Sequence, residues 1–502
     1  MEVFEIGFYI FRKDLRTIDN RGLIKLSEKV DFIVPIFIFD EYQIAKTEKN
    51  KTYLSYPAVR FLCESVNDLF NQIKKEKGQL YIFHGKPHTI VKNIINYLEK
   101  HNFNKSYCFG FNEDYTKYSI ERDKLIEDVC VENNISLFYN NDDYTLYDID
   151  LLLKDVNKKI PYKQYGAFRN NMFKVKSKFN KVINKKIKFY TKKINFDKTY
   201  DIDKIDKFWN KFLEDDYRPA EIGGRKEALL KLTKLNNFKD YNTKRDNLDY
   251  ETTRLSGYLN FGCISEREFY ESIIKKIGHN SQLINQIVWR DYYLTLLKYL
   301  PDANSYDVHI DKRYEKLKWL NYYTKTKFKT KRHKQSWEEW NIMMAGQTGF
   351  LIVDAAINEI LQTGFMHNRC RMIVGVFSVK YLLIHPLCRY YGLHDWFSRH
   401  LLDCSTSQNK LNAQWVTELD FPGKKFSPST SVIAGRPMSI SNTFIKRWDP
   451  DCVYIKKWLP HLKDIPNKIL YNWDTKYDEK IHPKPIFDPK ERYQEWIELC
   501  KN

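Results

Sequence analysis

The chain has 502 residues, 43% hydrophobic, and its longest apolar runs, such as FIVPIFIF (Phe32 to Phe39), fall well short of the roughly 20 residues that span a bilayer. A membrane role is therefore not expected. Nine cysteines without CxxC or CxxH pairing argue against zinc, an iron–sulfur cluster or a disulfide framework. A formal charge of +19 with 16% aromatic residues suits a partner that is both anionic and planar, either nucleic acid or a nucleotide cofactor.

The N-terminus, MEVFEIGFYIFRKDLR, carries acids before its apolar run and has no small-residue cleavage site. It reads as a first buried strand and not as a secretory signal. From Phe4 to about Val129, short β-branched or aromatic runs (VFEIGFYIF, FIVPIFIF, LYIFHG, YCFGFN) alternate with helical patterns such as VRFLCESVNDLFNQIKK. That alternation predicts an open α/β domain with a mostly parallel sheet over residues 1–135. A polar segment near Asn140 to Asp150 and a Lys-rich stretch, Lys176 to Lys198, read as a long connector over 136–205. From about Asp206 the strand signals fade, and SQLINQIVWRDYYLTLLKYL and GFLIVDAAINEILQ carry helical periodicity, so 206–502 is expected to be all-helical. One helix begins oddly: TGFMHNRCRMIVGVFSVKYLLI (Thr363 to Ile384) places His367, Asn368, Arg369 and Arg371 at the mouth of an apolar run. Buried polar groups need partners, so something polar is expected to meet that helix end.

Several segments, in order and spacing, resemble the photolyase/cryptochrome family of flavoproteins. They are FYIFRKDLRTIDNRGL (Phe8 to Leu23), AVRFLCESVNDL (Ala58 to Leu69), TTRLSGYLNFGCIS (Thr252 to Ser265), VWRDYY, QTGFLIVDAAINEILQTGFMHNRCRM and WDPDCVYIKKWLPHL (Trp448 to Leu462). The resemblance covers nearly the whole chain. It implies a five-stranded, Rossmann-like N-terminal domain of the antenna-chromophore type and a large all-α domain that binds FAD and DNA.

The same resemblance assigns roles to residues. Thr252, Thr253, Leu255 and Ser256 would meet the FAD diphosphate where TTRLS opens a helix, with Tyr241 and Arg254 packing on or contacting the cofactor. Gln286, Trp289 and Arg290 lie on a helix that presents one face to flavin and substrate. Asn368 and Arg371 would face the flavin, and Arg371 would pair with Asp403 beside its ring, with Ser405 nearby and Asn409 next to the reactive flavin nitrogen. The implied reaction is light-driven electron transfer from reduced FAD to a cyclobutane pyrimidine dimer flipped out of ultraviolet-damaged DNA. Asn409, Arg371, Asp403 and Gln286 form the catalytic set. Trp289, Trp415, Met372, Asn368, Arg369 and Gln286 are expected to contact the DNA. Many relatives carry a carboxylate where this chain has Gln286, which can hydrogen-bond but cannot lend a proton.

Asn368 in MHNR favours cyclobutane dimers, because relatives acting on (6-4) photoproducts usually have a second His there. Cryptochromes of the animal type share that His-rich pattern and often carry a long tail, whereas this chain stops about 40 residues after WLPHL. The alternatives kept open are a cryptochrome-like photoreceptor, a (6-4) or single-strand-preferring photolyase, and a non-catalytic DNA-binding relative. Cys404 to Phe444 fits no subfamily cleanly. A second, antenna chromophore, folate or a deazaflavin, is expected in the N-terminal domain, and Asn112, Glu113 and Tyr115 lie in a loop suited to it. Where the family relays electrons through three tryptophans, this chain has Met343, Pro386 and Ala413, which points to Trp340 or Trp396 as a replacement, with Tyr390 and Tyr391 near the latter. The protein is expected to be a soluble, intracellular monomer; cytoplasmic, nuclear and virus-associated settings are not separated by sequence.

Overall fold

The computed structural model describes residues 4–44, 54–155, 157, 162, 164–176, 179–197, 199, 220–300, 330–385, 392–405, 408–409, 411, 440 and 442–501. Five strands, β1 (Phe4–Phe11), β2 (Val30–Asp40), β3 (Tyr81–Gly85), β4 (Tyr107–Asn112) and β5 (Ser136–Asn140), form one sheet in the order β3-β2-β1-β4-β5. Every pairing is parallel. Parallel strands covered on both faces read as nearly continuous apolar runs, and β1 and β2 divide theirs by alternation. Ile6, Phe8, Ile10, Val34, Ile36 and Ile38 pack with Val91, Ile94, Ile126 and Val129 on one side. Tyr9, Phe11, Ile33, Phe37 and Phe39 join Phe61, Leu62, Tyr258, Phe261, Ile287 and Tyr292 on the other. The second face thus shares its core with the helical half of the chain.

The fifth strand corrects one expectation. The sequence pattern places Ser136–Asn140 in the connector, but it pairs with β4 at the sheet edge, where its half-exposed side chains weaken the apolar signal. The Lys-rich stretch likewise buries Phe179, Ile187, Phe189, Ile194 and Phe196, and Phe189 bridges to Ile33. Its described lysines stay at the surface while every few residues an apolar side chain enters the core.

Helices α1 (Tyr56–Lys75), α2 (Tyr165–Lys174), α3 (Ser256–Asn260), α4 (Glu266–Lys276), α5 (Gln282–Tyr299), α6 (Lys331–Met344), α7 (Leu351–Thr363) and α8 (Asn368–Val376) position the site. Ser55 caps α1 by accepting from Ala58 N, and its hydroxyl donates to Leu401 O at 2.7 Å. Ser265 and Glu268 form a reciprocal capping box on α4. The halves are riveted by charges without solvent access: Arg16 to Asp143 at 2.7 Å and Arg267 to Asp19 at 2.7 Å. Gly262 makes the approach between halves feasible, because it sits at φ +65 and a Cβ there would lie 2.0 Å from Lys13 O. A separate core, including Trp340, Met343, Val353, Phe377, Trp396 and Trp473, fills the distal helical region. Among the described residues no helix is long and apolar enough to cross a membrane, and the seven cysteines whose side chains are described are buried and in no disulfide.

Candidate functional site

Helix α7 ends at Gly364 (φ 69), the left-handed stop that glycine tolerates best. The chain then turns through Phe365 to His367 and re-enters a helix at Asn368. His367 caps α8 through its ring, which accepts from Arg369 N at 3.2 Å. Its backbone N–H donates to Glu359 Oε2 at 3.0 Å, and the same oxygen accepts from Tyr454 Oη at 2.6 Å. The helix mouth is therefore fixed from behind by a buried carboxylate.

From that mouth Arg371 reaches inward. Its Nε donates to Met366 O and its Nη2 to Asp403 Oδ2, both at 2.9 Å. The pair is shielded, with the Asp403 side chain 4% exposed and that of Arg371 15%. Phe365 lies between two cations: the guanidinium of Arg254 is 4.5 Å from its ring centroid and that of Arg371 5.6 Å. Arg254 takes φ +49, an uncommon backbone state for a non-glycine residue, immediately before α3. Leu255 occupies the cap position of α3 and offers no side-chain cap, Thr252 and Thr253 are half-buried, and Ser256 is exposed.

Two buried polar atoms around this turn, Asp403 Oδ1 and His367 Nε2, have no hydrogen-bond partner among the described residues, and Arg254 Nε has only a loose ion-pair contact, 3.9 Å from Glu221 Oε1. Buried polar groups are nearly always satisfied, so such a cluster marks a place for a polar ligand. Burial, followed by Arg369 and Arg371, pulls His367 down to about 4, which keeps its ring neutral at physiological pH. Asp403 continues into a loop in which Asn409 N donates to Ser405 O and Asn409 Nδ2 to Cys404 Sγ, each at 2.8 Å. Asn260 Nδ2 holds Cys404 O at 3.2 Å. Donors, a carboxylate and a neutral imidazole thus converge on one turn, a set that fits the polar edge of a flavin.

Arg369 points elsewhere. Its Nε and Nη2 both donate to Asp246 Oδ1, at 2.9 and 2.6 Å, and its Nη1 to Met372 Sδ at 3.3 Å. Tyr241 lies within the field of Asp246 and Arg369, and Asn368 is exposed at the helix start. On α5, Gln286 is exposed, whereas Trp289 stacks face to face on Tyr165 of α2, with centroids 3.4 Å apart and planes 6° from parallel. Arg290 pairs with Glu266 Oε1 at 2.5 Å and donates to Tyr144 O, which places it in the contact between the halves. Trp340 and Trp396 are buried, Trp396 against His400. Trp415, Pro386, Tyr390, Tyr391 and Ala413 lie outside the described residues.

A cleft of about 800 Å³, open mouth included, lies at the C-terminal ends of β1 and β2 and beside the loop after β4, near the point where strand order reverses. Such switch points are where open α/β sheets bind ligands. Ile38, Leu62 and Phe261 give it apolar walls, and Arg12, Arg122 and Tyr144 supply polar groups. Arg12 Nη2, Arg122 Nη2 and Tyr144 Oη lack partners among the described residues. Burial raises Asp40 at the rim to about 6. The loop residues singled out from sequence are placed differently. Asn112 is fully buried and donates to Tyr9 Oη, Asp14 Oδ2 and Asn20 Oδ1, Tyr115 donates to Asn141 O, and Glu113 N donates to Asn140 O. They tie the strand ends together instead of lining the cleft.

Sequence reasoning missed Phe365, Asp246, Glu359, Tyr454, Tyr165 and the cleft arginines. Phe365, Glu359, Tyr454 and Arg12 lie inside segments already quoted and Asp246 directly after Arg245, whereas Tyr165 and Arg122 carried no such local signal.

Residues 8–185 match the family model described as DNA photolyase, and residues 283–502 the model described as FAD binding domain of DNA photolyase. A deoxyribodipyrimidine photo-lyase of Buchnera aphidicola subsp. Baizongia pistaciae is 26% identical over 512 residues, covering 95% of this chain and 94% of its own. The (6-4)DNA photolyase of Arabidopsis thaliana is 26% identical, covering 95% and 84%, and Cryptochrome-2 of Gallus gallus is 26% identical, covering 93% and 76%. An archaeal photolyase from Sulfolobus tokodaii, solved with two FAD molecules, superposes with a TM-score of 0.78 at 27% identity, covering 99% of this chain and 100% of that one. A parallel sheet sharing its core with a helical half, both family models in one chain and likeness over more than nine-tenths of the chain to proteins named as photolyases and a cryptochrome lead to one conclusion: the protein belongs to the photolyase/cryptochrome family and carries its FAD-binding domain.

Proposed function

We propose that the protein is a light-dependent DNA repair enzyme that splits cyclobutane pyrimidine dimers. The observation that carries this reading is the two-sided start of α8, where a buried Arg371–Asp403 pair and two polar atoms without a hydrogen-bond partner among the described residues, Asp403 Oδ1 and His367 Nε2, lie beside exposed Asn368 and half-buried Met372. Reduced FAD, when bound, supplies the light-driven electron that opens the dimer and is returned afterwards. Arg371, Asp403, His367, Arg254 and Asn409 would hold the flavin and fix its polar edge. Asn368 and Gln286 would hydrogen-bond the pyrimidine edges, and Trp289 with Met372 would provide apolar contact for the flipped bases. Residues Thr252 to Ser256 would meet the diphosphate. Arg369 and the surplus of basic residues would meet the DNA backbone. The cleft with its open Arg12 and Arg122 N–H groups would take a planar antenna chromophore bearing an anionic edge.

The test uses FAD-loaded protein and duplexes that carry one defined lesion. Restoration of a cyclobutane dimer under blue light, and not in the dark, is the expected result. Repair of the (6-4) lesion alone would move the protein to the other lesion class. Bound, photoreducible flavin with neither lesion repaired would make it a photoreceptor.

A further inference from the structure

We infer that Asp246 is a specificity-determining residue, an internal stand-in for a DNA phosphate that keeps Arg369 neutralised until damaged DNA displaces it. The inference deepens the proposed repair function and rests on it. A guanidinium fork is matched to planar and tetrahedral oxyanions alike, and here two of its nitrogens converge on the single oxygen Asp246 Oδ1, at 2.9 and 2.6 Å. The rest of the side chain is held by Met372 Sδ at 3.3 Å and lies 5.7 Å from the Trp448 ring, so the cation stays at the start of α8 whichever anion it meets. Among the described residues Arg245 is a second cation close to the carboxylate, with Nε 3.8 Å from the same oxygen. Side-chain exposure is 22% for Arg369 and 37% for Asp246, so water and a phosphate can both reach the pair.

A pair that open to solvent contributes little to stability, and it can therefore exchange partners. A protein with a formal charge of +19 gains affinity for any duplex by releasing counterions from phosphates. Arg369 contributes little to that background, because a phosphate that takes it must leave Asp246 without its partner. When a flipped lesion also engages neighbouring Asn368 and Met372, those contacts offset the lost carboxylate. Asp246 thus weakens binding to intact DNA more than binding to damaged DNA, and discrimination comes from that difference.

The experiment measures binding of FAD-loaded protein to an intact duplex and to the same duplex with one cyclobutane dimer, across a salt series. Wild type, Asp246→Asn, Arg369→Gln and the double variant are compared. Asp246→Asn should tighten binding to the intact duplex several-fold and steepen the slope of log K against log salt by about 0.9, one additional phosphate contact. Binding to damaged duplex should tighten less, so the lesion preference falls. In the Arg369→Gln background the same substitution should leave the slope unchanged. An unchanged slope in the single variant, or equal steepening in both backgrounds, overturns the inference, the latter because it would report a general field effect. Should Asp246→Asn load FAD poorly, Asp246→Ser removes the same charge with a smaller side chain and is held to the same outcomes. Wild-type protein without any preference for damaged duplex would overturn the proposed function together with this role, whereas a wild-type preference untouched by Asp246→Asn overturns this role alone.

Discussion

The Arg371–Asp403 pair allows a prediction in which the two partners are not equivalent. Breaking a buried ion pair by removing one member costs about 3 to 5 kcal/mol, because the other charge is left in a poorly solvated place. Arg371→Ala leaves Asp403 with a side chain only 4% exposed and with Oδ1 already lacking a partner among the described residues. That variant belongs at the upper end, about 5 kcal/mol. Asp403→Ala leaves a guanidinium that keeps its bond to Met366 O at 2.9 Å, its contact with the Phe365 ring and 15% exposure. Its cost belongs near the lower end, about 3 kcal/mol. Asp403→Asn keeps an acceptor in place and should fall below both. The assay is urea unfolding at one fixed concentration of free FAD, since a ligand that binds only the folded state adds stability by mass action. Two losses under about 1 kcal/mol, or Asp403→Ala costing clearly more than Arg371→Ala, would refute the view that this pair is a buried, mutually dependent element of the flavin site.

His367 titrates near 4 when folded and near 6.5 when unfolded, so between those values the unfolded chain binds more protons. Stability should therefore fall as pH drops through that window, by up to about 3 kcal/mol, and His367→Gln should flatten that part of a urea-midpoint profile. Tyr165→Ala should free the Trp289 indole from its stacked partner and weaken damaged-DNA binding by about 1 kcal/mol, with Tyr165→Phe close to wild type; equal effects of the two variants would count against stacking as the cause. Photoreduction of oxidised protein with an external thiol should slow in Trp340→Phe or Trp396→Phe, and fast photoreduction unchanged by both would remove these residues from any electron route.

How far the fold could be read depended on whether burial left a regular pattern. Strands β1 and β2 were legible because both faces are covered and nearly every position is apolar. Strand β5 was not, since Ser136–Asn140 lies at the edge and is mostly half-exposed. The Lys-rich stretch misled for a related reason: composition averages over neighbours, and Phe179, Ile187, Phe189, Ile194 and Phe196 are buried among lysines that reach water. At the site, the polar mouth of α8 announced itself because charged residues opening an apolar helix demand partners. The partners themselves came from family likeness or were missed. Asp246 meets Arg369 across 123 positions and Tyr165 meets Trp289 across the interface of α2 and α5, and no local period encodes such approaches.

Under the proposed repair function, the two arginines of α8 let one helix start serve both a cofactor and a nucleic acid. Positions two apart on a helix do not share a face, so Arg369 and Arg371 are obliged to point in different directions from the same turn. Arg371 meets a carboxylate 4% exposed, and Arg369 one that is 37% exposed. Burial makes the inner pair costly to break, about 3 to 5 kcal/mol, and therefore suited to holding one fixed geometry around a flavin. Solvent makes the outer pair cheap to exchange, about 0 to 1 kcal/mol, and therefore suited to a partner that must arrive and leave. Met372 is three residues from Arg369, on the same face, and its sulfur receives the Arg369 Nη1 donor. The face proposed to meet DNA thus carries the exchangeable charge with an apolar residue beside it, while the face turned inward carries the permanent one.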